Sequence, residues 1–200
     1  PGAKQALINV PNDTVTISKM AYGYSVELSP LQMLTFYNGI ANNGKMITPL
    51  IVKEIRKNGK TIEEFESTVV KSSMCSDATL KGIRECLHDV VWNDTLGTAS
   101  VNPWGTRKAQ SDLVALAGTT GTAQILAKGY SNRRHRMSFV GYFPEENPQY
   151  SCICVIHGPQ WPYDAGMDCG SVVRHIAEKT MAYAGEYVSE DGELVMVVKE

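Results

Sequence analysis

From Ser29 onward, apolar side chains recur at helix and strand spacings that divide the chain into discrete elements. Ser29-Pro30 places an N-cap hydroxyl ahead of a proline at the first helical position. Met33, Leu34, Tyr37, Ile40 and Ala41 then fall on one helical face, and Asn42-Asn43-Gly44 ends the helix. Between Ile47 and Phe65 the alternation predicts two short strands around Asn58-Gly59, a strong hairpin signal. Ser76 caps a second helix, whose Leu80, Ile83, Leu87, Val90 and Val91 form a stripe through to about Trp92. Residues 1 to 28 carry weak signals, with a turn expected at Pro11-Asn12-Asp13.

Asn93 to Asp112 is polar and broken by glycine and proline, and so long a connection inside a compact domain is often functional. Leu113 to Gly118 reads as a short buried strand running into Thr119-Thr120-Gly121-Thr122-Ala123-Gln124. A basic loop follows, with Arg133, Arg134, His135 and Arg136. Met137 to Phe143 and Tyr150 to His157 read as two more strands, joined through Pro144-Glu145-Glu146-Asn147-Pro148. A helix from about Asp168 to Ala184 is expected to bury Val172, Val173, Ile176, Thr180 and Met181, and the tail 186–200 to form a hairpin around Asp191-Gly192. Strands in succession followed by a helix imply an α/β (α+β) fold: an antiparallel sheet flanked by helices, not a Rossmann array.

Composition narrows the function. Two hundred residues suggest one domain, at most two. A net charge of −2 offers no global basic field, which argues against a general nucleic-acid binder. The longest apolar runs, Cys152–Ile156 and Leu194–Val198, fall far short of the roughly 20 residues of a membrane helix. Five cysteines are too few and too irregular for a disulfide framework. Cys152 and Cys154 would share one strand face as small buried residues, and no CxxC or HxxxH pair supports a metal site. The start at Pro1, without an initiator Met, reads as an excised piece of a longer protein.

The most unusual segment is Thr119-Thr120-Gly121-Thr122, where hydroxyls and bare backbone amides could receive an extended ligand along a strand edge. Threonine is also common in strands, so the residues alone leave that reading open. A phosphate loop is excluded, because the segment lacks GxxxxGK[ST] spacing. Arg133, Arg134 and Arg136 could hold an anion but read better as a solvated loop, and His88, His135, His157 and His175 show no pairing pattern. Serine acylation with a lysine base needs Ser-x-x-Lys, which stacks both side chains on adjacent helical turns, and no serine here has lysine three residues on. Ser100-Val101-Asn102 is a chance-level Ser-x-Asn, and Cys169 is the sole cysteine near a helix start.

Taken together, several segments resemble one family. Met20 to Gln32, with Gly23-Tyr24 and Ser29-Pro30-Leu31-Gln32, is similar to the "GYG…TPLQ" segment of bacterial penicillin-binding protein transpeptidases. Tyr37 to Lys45 resembles their "A-x-I-A-N-G-G" helix end, Ala117 to Gln124 their "AGKTGTAQ" strand, Ser138 to Pro144 their "FVGYFP" strand, and Gly170 to Glu178 their final helix. The segments keep the family's order over roughly residues 15 to 184, with most likeness to class B, division-type (septal) members.

The resemblance implies a partial penicillin-binding/serine β-lactamase-like transpeptidase fold, with residues 1–185 as its C-terminal portion and no cofactor or metal. In the family a Ser-x-x-Lys serine attacks the D-Ala-D-Ala end of a peptidoglycan stem peptide, and β-lactams acylate that serine. The nucleophile would lie upstream of this chain, as would a membrane anchor, at the periplasmic face of the bacterial inner membrane. Stem peptides and β-lactams are the implied ligands, with cell-division proteins as partners and self-association of the isolated piece. Thr120 and Thr122 would offer hydroxyls to the ligand carboxylate, Gly121 would let the ligand approach, and the Thr122 N–H would be an oxyanion donor. Thr119 departs from the family, which has lysine there. Either the parent protein is impaired, or another cation substitutes, or the residue was altered. A non-catalytic homologue, acting as a wall-binding or divisome interaction module, is the alternative that Thr119 favours.

Overall fold

The computed structural model describes residues 13–125, 134–159 and 163–184, which divide into two compact units between Leu80 and Lys81. The tail hairpin around Asp191-Gly192, Arg133 and most of the Pro11-Asn12-Asp13 turn lie outside the described residues.

The first unit opens with α1 (Thr14–Met20), which the sequence pattern does not predict; the Asp13 carboxylate accepts the Thr16 N–H at 2.7 Å and starts it. Helix α2 (Pro30–Ala41) begins where the Ser29-Pro30 signal places it. Its capping box is complete: Ser29 Oγ accepts the Gln32 N–H at 3.2 Å, and Gln32 Oε1 accepts the Ser29 N–H at 2.8 Å. Asn43 (φ 52°) and Gly44 (φ 79°) then turn the chain through left-handed conformations. Strands β2 (Glu54–Lys57) and β3 (Lys60–Glu64) form the hairpin around Asn58-Gly59, both at positive φ as a type I′ turn requires. The expected first strand, starting at Ile47, divides instead. Met46–Ile47 (β1) leaves the hairpin and pairs with β4 (Val69–Lys71).

Helix α3 (Asp77–Trp92) spans the division and starts at Ser76, whose Oγ accepts the Thr79 N–H at 3.2 Å. The second unit is built on an antiparallel sheet ordered β5 (Ala117–Ile125), β6 (Arg134–Phe143), β7 (Tyr150–His157). A π-helical turn, Gly166–Gly170, leads into α4 (Ser171–Ala184). Leu116, Met137, Phe139 and Phe143 pack with Val91 of α3 and Cys169, Val173, Ala177 and Met181 of the terminal helix. The antiparallel sheet and flanking helix read from the sequence are present.

Three local readings are corrected. The strand expected from Leu113 starts at Ala117, and Leu113 is exposed, because Glu145 donates to Ala115 O and Trp92 Nε1 to Leu116 O instead of a neighbouring strand. Arg134, His135 and Arg136 belong to β6, not to a loop: their register partners are Ile125, Gln124 and Ala123. Val172 and Ile176 are exposed, since Val173, Ala177 and Met181 make the buried stripe of α4 at i, i+4 and i+8. The stretch 93–112, polar and glycine-broken as read, is half exposed, and its small residues reach the core. Ala99, Ser100 and Ala109 are fully buried, the Lys108 N–H bonds Ser100 O, and the Ala109 N–H bonds Ala99 O.

The tight β5–β6 pairing depends on Gly118. A Cβ there would stand 2.5 Å from Val140 O and 2.7 Å from the Phe139 ring, whereas one on Gly82, within α3, would meet nothing within 4 Å. Opposite effects are expected from the same chemical change. Gly118→Ala should lower unfolding stability by about 1–3 kcal/mol through overpacking, and Gly82→Ala should raise it by about 0.5–1 kcal/mol through helix propensity. Urea titrations of the two variants would read this; a Gly118→Ala protein as stable as wild type would contradict the close approach.

Candidate functional site

β-branched threonines suit β5, and its register sets which side chains share a face. Thr119 pairs with Val140, Thr120 with Phe139, Gly121 with Ser138 and Thr122 with Met137. Side chains alternate along a strand, so Thr120 and Thr122 lie on the face of Phe139 and Met137, and Thr119 and Gly121 on the opposite one. The far edge of β5 has no neighbouring strand among the described residues. A Cβ on Gly121 would lie 2.6 Å from Ser138 Oγ, so this glycine also serves the sheet pairing.

Thr120 and Thr122 line a pocket of about 320 Å³, together with Thr98, Lys108, Tyr163, Asp164, Ala165 and Gly166. Thr119 and Gly121 are not in its wall. Thr98 and Thr120 share a hydroxyl–hydroxyl hydrogen bond of 2.7 Å. Lys108, with its side chain only 11% exposed, donates from Nζ to Thr98 O at 3.1 Å and to Asp164 Oδ2 at 2.8 Å. Asp164 Oδ1 accepts the Met167 N–H at 2.9 Å, anchoring the start of the terminal helical segment. Gly166 is needed where it stands, because a Cβ would collide with Thr98 O and Lys108 Cδ. At the pocket wall, the Tyr163 hydroxyl lies 2.6 Å from His135 Nδ1.

The other candidates fall away from this pocket. Ser100 is buried and donates to Gly97 O, while Asn102 Oδ1 accepts the N–H groups of Trp104 and Thr106, so Ser100-Val101-Asn102 is a turn. Burial first, then neighbouring Cys154, pushes the Cys169 thiol up to about 12, which makes it no nucleophile. Burial likewise raises the Cys152 thiol. His88 bonds Glu145 Oε1 at 2.8 Å, His157 accepts from Arg136 Nε at 3.3 Å, and His175 is an exposed helix residue.

Thr98, Lys108, Tyr163, Asp164, Ala165 and Gly166 were not legible as site residues. The one signal was Asp164, an acidic residue shortly before a helical stripe, which is an N-terminal capping cue. Lys108 and Asp164 are 56 residues apart and leave no local pattern.

Partial burial raises the Asp164 carboxyl, but the Lys108 hydrogen bond, the Met167 N–H and the Lys108 charge outweigh it and hold the group below 3.8. A depressed carboxyl stabilises the fold above the unfolded value and loses that contribution as pH falls through the folded one. Wild type should therefore lose stability in the window from about pH 5 to below pH 4. Asp164→Asn keeps a carbonyl acceptor but removes the counter-charge of Lys108, so it should be less stable at pH 7 by about 1 kcal/mol, and its acid slope should be shallower. Melting curves across pH check both; parallel slopes would rule out the link.

Comparison with known proteins supplies the family. Residues 2–182 match the family model described as the penicillin binding protein transpeptidase domain. The chain is 29% identical over 173 residues to a peptidoglycan D,D-transpeptidase FtsI homolog of Mesostigma viride, covering 79% of this chain and 27% of that protein. It is 30% identical over 142 residues to stage V sporulation protein D of Bacillus subtilis, covering 70% of this chain and 20% of that one. It thus spans about a quarter or less of the length of these curated relatives. Penicillin binding protein 3 of Mycobacterium tuberculosis, solved with aztreonam, shares the fold with a TM-score of 0.74 at 24% identity, over 97% of this chain and 44% of that one. The antiparallel sheet, the Ala117–Gln124 strand and the family match agree: the chain belongs to the penicillin-binding-protein transpeptidase domain family.

Proposed function

We propose that the chain forms the ligand-binding strand and adjoining pocket of a division-type D,D-transpeptidase that cross-links peptidoglycan stem peptides in the cell envelope. The observation that carries this reading is the pocket, where the Thr120 and Thr122 hydroxyls of an edge strand stand beside the Lys108 ammonium in a chain of this family. Hydroxyls and an ammonium are what a peptide carboxylate needs.

In this reading the stem peptide lies along β5, its terminal carboxylate held by Thr120 and Thr122. A serine supplied outside these 200 residues, which contain no Ser-x-x-Lys, attacks the carbonyl of the penultimate D-Ala. The Thr122 N–H stabilises the oxyanion, and the C–N bond breaks. Terminal D-Ala leaves with a proton, and the ester formed passes to the amine of a neighbouring stem, regenerating the serine. A β-lactam follows the first half alone, its ring amide opening onto the same serine. The setting is the periplasmic face of the inner membrane, reached through an upstream anchor, with cell-division proteins as neighbours.

Thr119 supports the second reading, a homologue that binds stem peptides without acylating, because the position lacks the family's ammonium. A fluorescent penicillin separates the two. The full-length protein should take up one label, lost on replacing its Ser-x-x-Lys serine by alanine, and residues 1–200 alone should stay unlabelled. An unlabelled full-length protein favours the binding module; a stable adduct on any serine of the isolated chain overturns the assignment of the nucleophile.

A further inference from the structure

Burial of a lysine to this depth is unusual unless its charge is matched, and Lys108 is matched only in part. An ammonium has three N–H donors. Among the described residues Lys108 Nζ places two of them, on Thr98 O and Asp164 Oδ2. Its nitrogen belongs to a residue of the pocket wall, and its acceptor Thr98 is the same residue whose hydroxyl bonds Thr120. Thr98 thereby links the ammonium to the Thr120 hydroxyl. Asp164 pairs with this ammonium through Oδ2 while its Oδ1 is engaged by the Met167 N–H, so one ammonium donor has no acceptor among the described residues. Among the described residues that line this pocket, no other carries a positive charge.

We infer that Lys108 is the carboxylate-anchoring cation of this site: its ammonium, in the wall shared with Thr120 and Thr122, pairs with the free acid group of a stem peptide's C-terminus or of a β-lactam. This rests on the transpeptidase reading above. It gives the pocket the charge that Thr119 does not provide, from a loop and not from the strand. The ligand class follows from the chemistry: an extended molecule ending in a carboxylate, with a methyl ester or primary alcohol at that end bound poorly.

The test uses the full-length protein and the second-order acylation constant for a penicillin with its free carboxylate, measured beside the methyl ester of the same compound. Lys108→Met should slow the acid by about tenfold or more, the size of one charge-assisted hydrogen bond, and change the ester by less than about twofold. Lys108→Arg should keep the acid's advantage over the ester. Equal losses for acid and ester would show Lys108 to be a structural tie only and overturn the assignment; so would an unchanged acid rate. Should Lys108→Met fail to fold, the wild type decides: an acid-over-ester preference below about twofold overturns it. A wild type that takes no penicillin at all defeats the transpeptidase reading itself, a result distinct from an acylated protein indifferent to residue 108.

Discussion

A single buried ammonium fixes the geometry of the second unit's pocket. Moving Lys108 out of water costs several kcal/mol unless acceptors replace its hydration. Thr98 O and Asp164 Oδ2 are those acceptors, and they belong to a loop and to the start of the terminal helical segment. The loop and the segment must therefore stay within hydrogen-bond reach of one nitrogen. Gly166 is the steric consequence, since Thr98 O and Lys108 Cδ occupy the space a Cβ would need. The Thr98–Thr120 hydroxyl bond carries the constraint to β5.

The stretch 93–112 shows how a polar, glycine-broken sequence becomes part of a core. Its small residues do the packing: Ala99 and Ala109 are fully buried, facing each other across the backbone pairing of 99–109. Its buried polar residues find side-chain or backbone partners. Gln110 reaches Asp94 Oδ1 and Ser111 reaches Glu178 Oε1, each at 2.8 Å, so neither is left unsatisfied. Gly97 lets the chain leave α3, because a Cβ would meet the carbonyl oxygens of Asp89, Val90 and Asn93. Length without secondary structure is affordable here only because both ends are pinned by hydrogen bonds.

What the sequence made legible was local. The Ser29–Gln32 capping box, the Asn58-Gly59 turn and strand β7 each follow from neighbours within a few residues and stand where the pattern puts them, and β6 ends at Phe143 as expected. Thr120 and Thr122 were legible as ligand-facing candidates through the resemblance, and they do line the pocket. The misread parts depend on distant partners. Arg134 and Arg136 look like loop residues until β5 pairs with them. Val172 and Ile176 fit a helical stripe as well as Val173 and Ala177 do, and only the position of Phe139, Met137 and the rest of the core selects the second set. Lys108 is one more basic residue in a polar loop until Asp164 is brought to it.

On the reading proposed above, Lys108 supplies a charge from a different face of the sheet than the family's lysine at position 119 would. A side chain at position 119 leaves β5 on the face of Gly121 and Ser138, opposite Thr120 and Thr122. Lys108 approaches from the Thr120–Thr122 side. Arg136 does share the Thr119 face, through its pairing with Ala123. Yet it stands four residues along β6 from Val140, the partner of Thr119, which is about 13 Å at the usual rise per residue, and its Nε is turned to His157 Nδ1. Neither cation can therefore occupy the place a lysine at 119 would take. On that reading, this site keeps a charged grip on the carboxylate while the Thr119 face offers a hydroxyl alone.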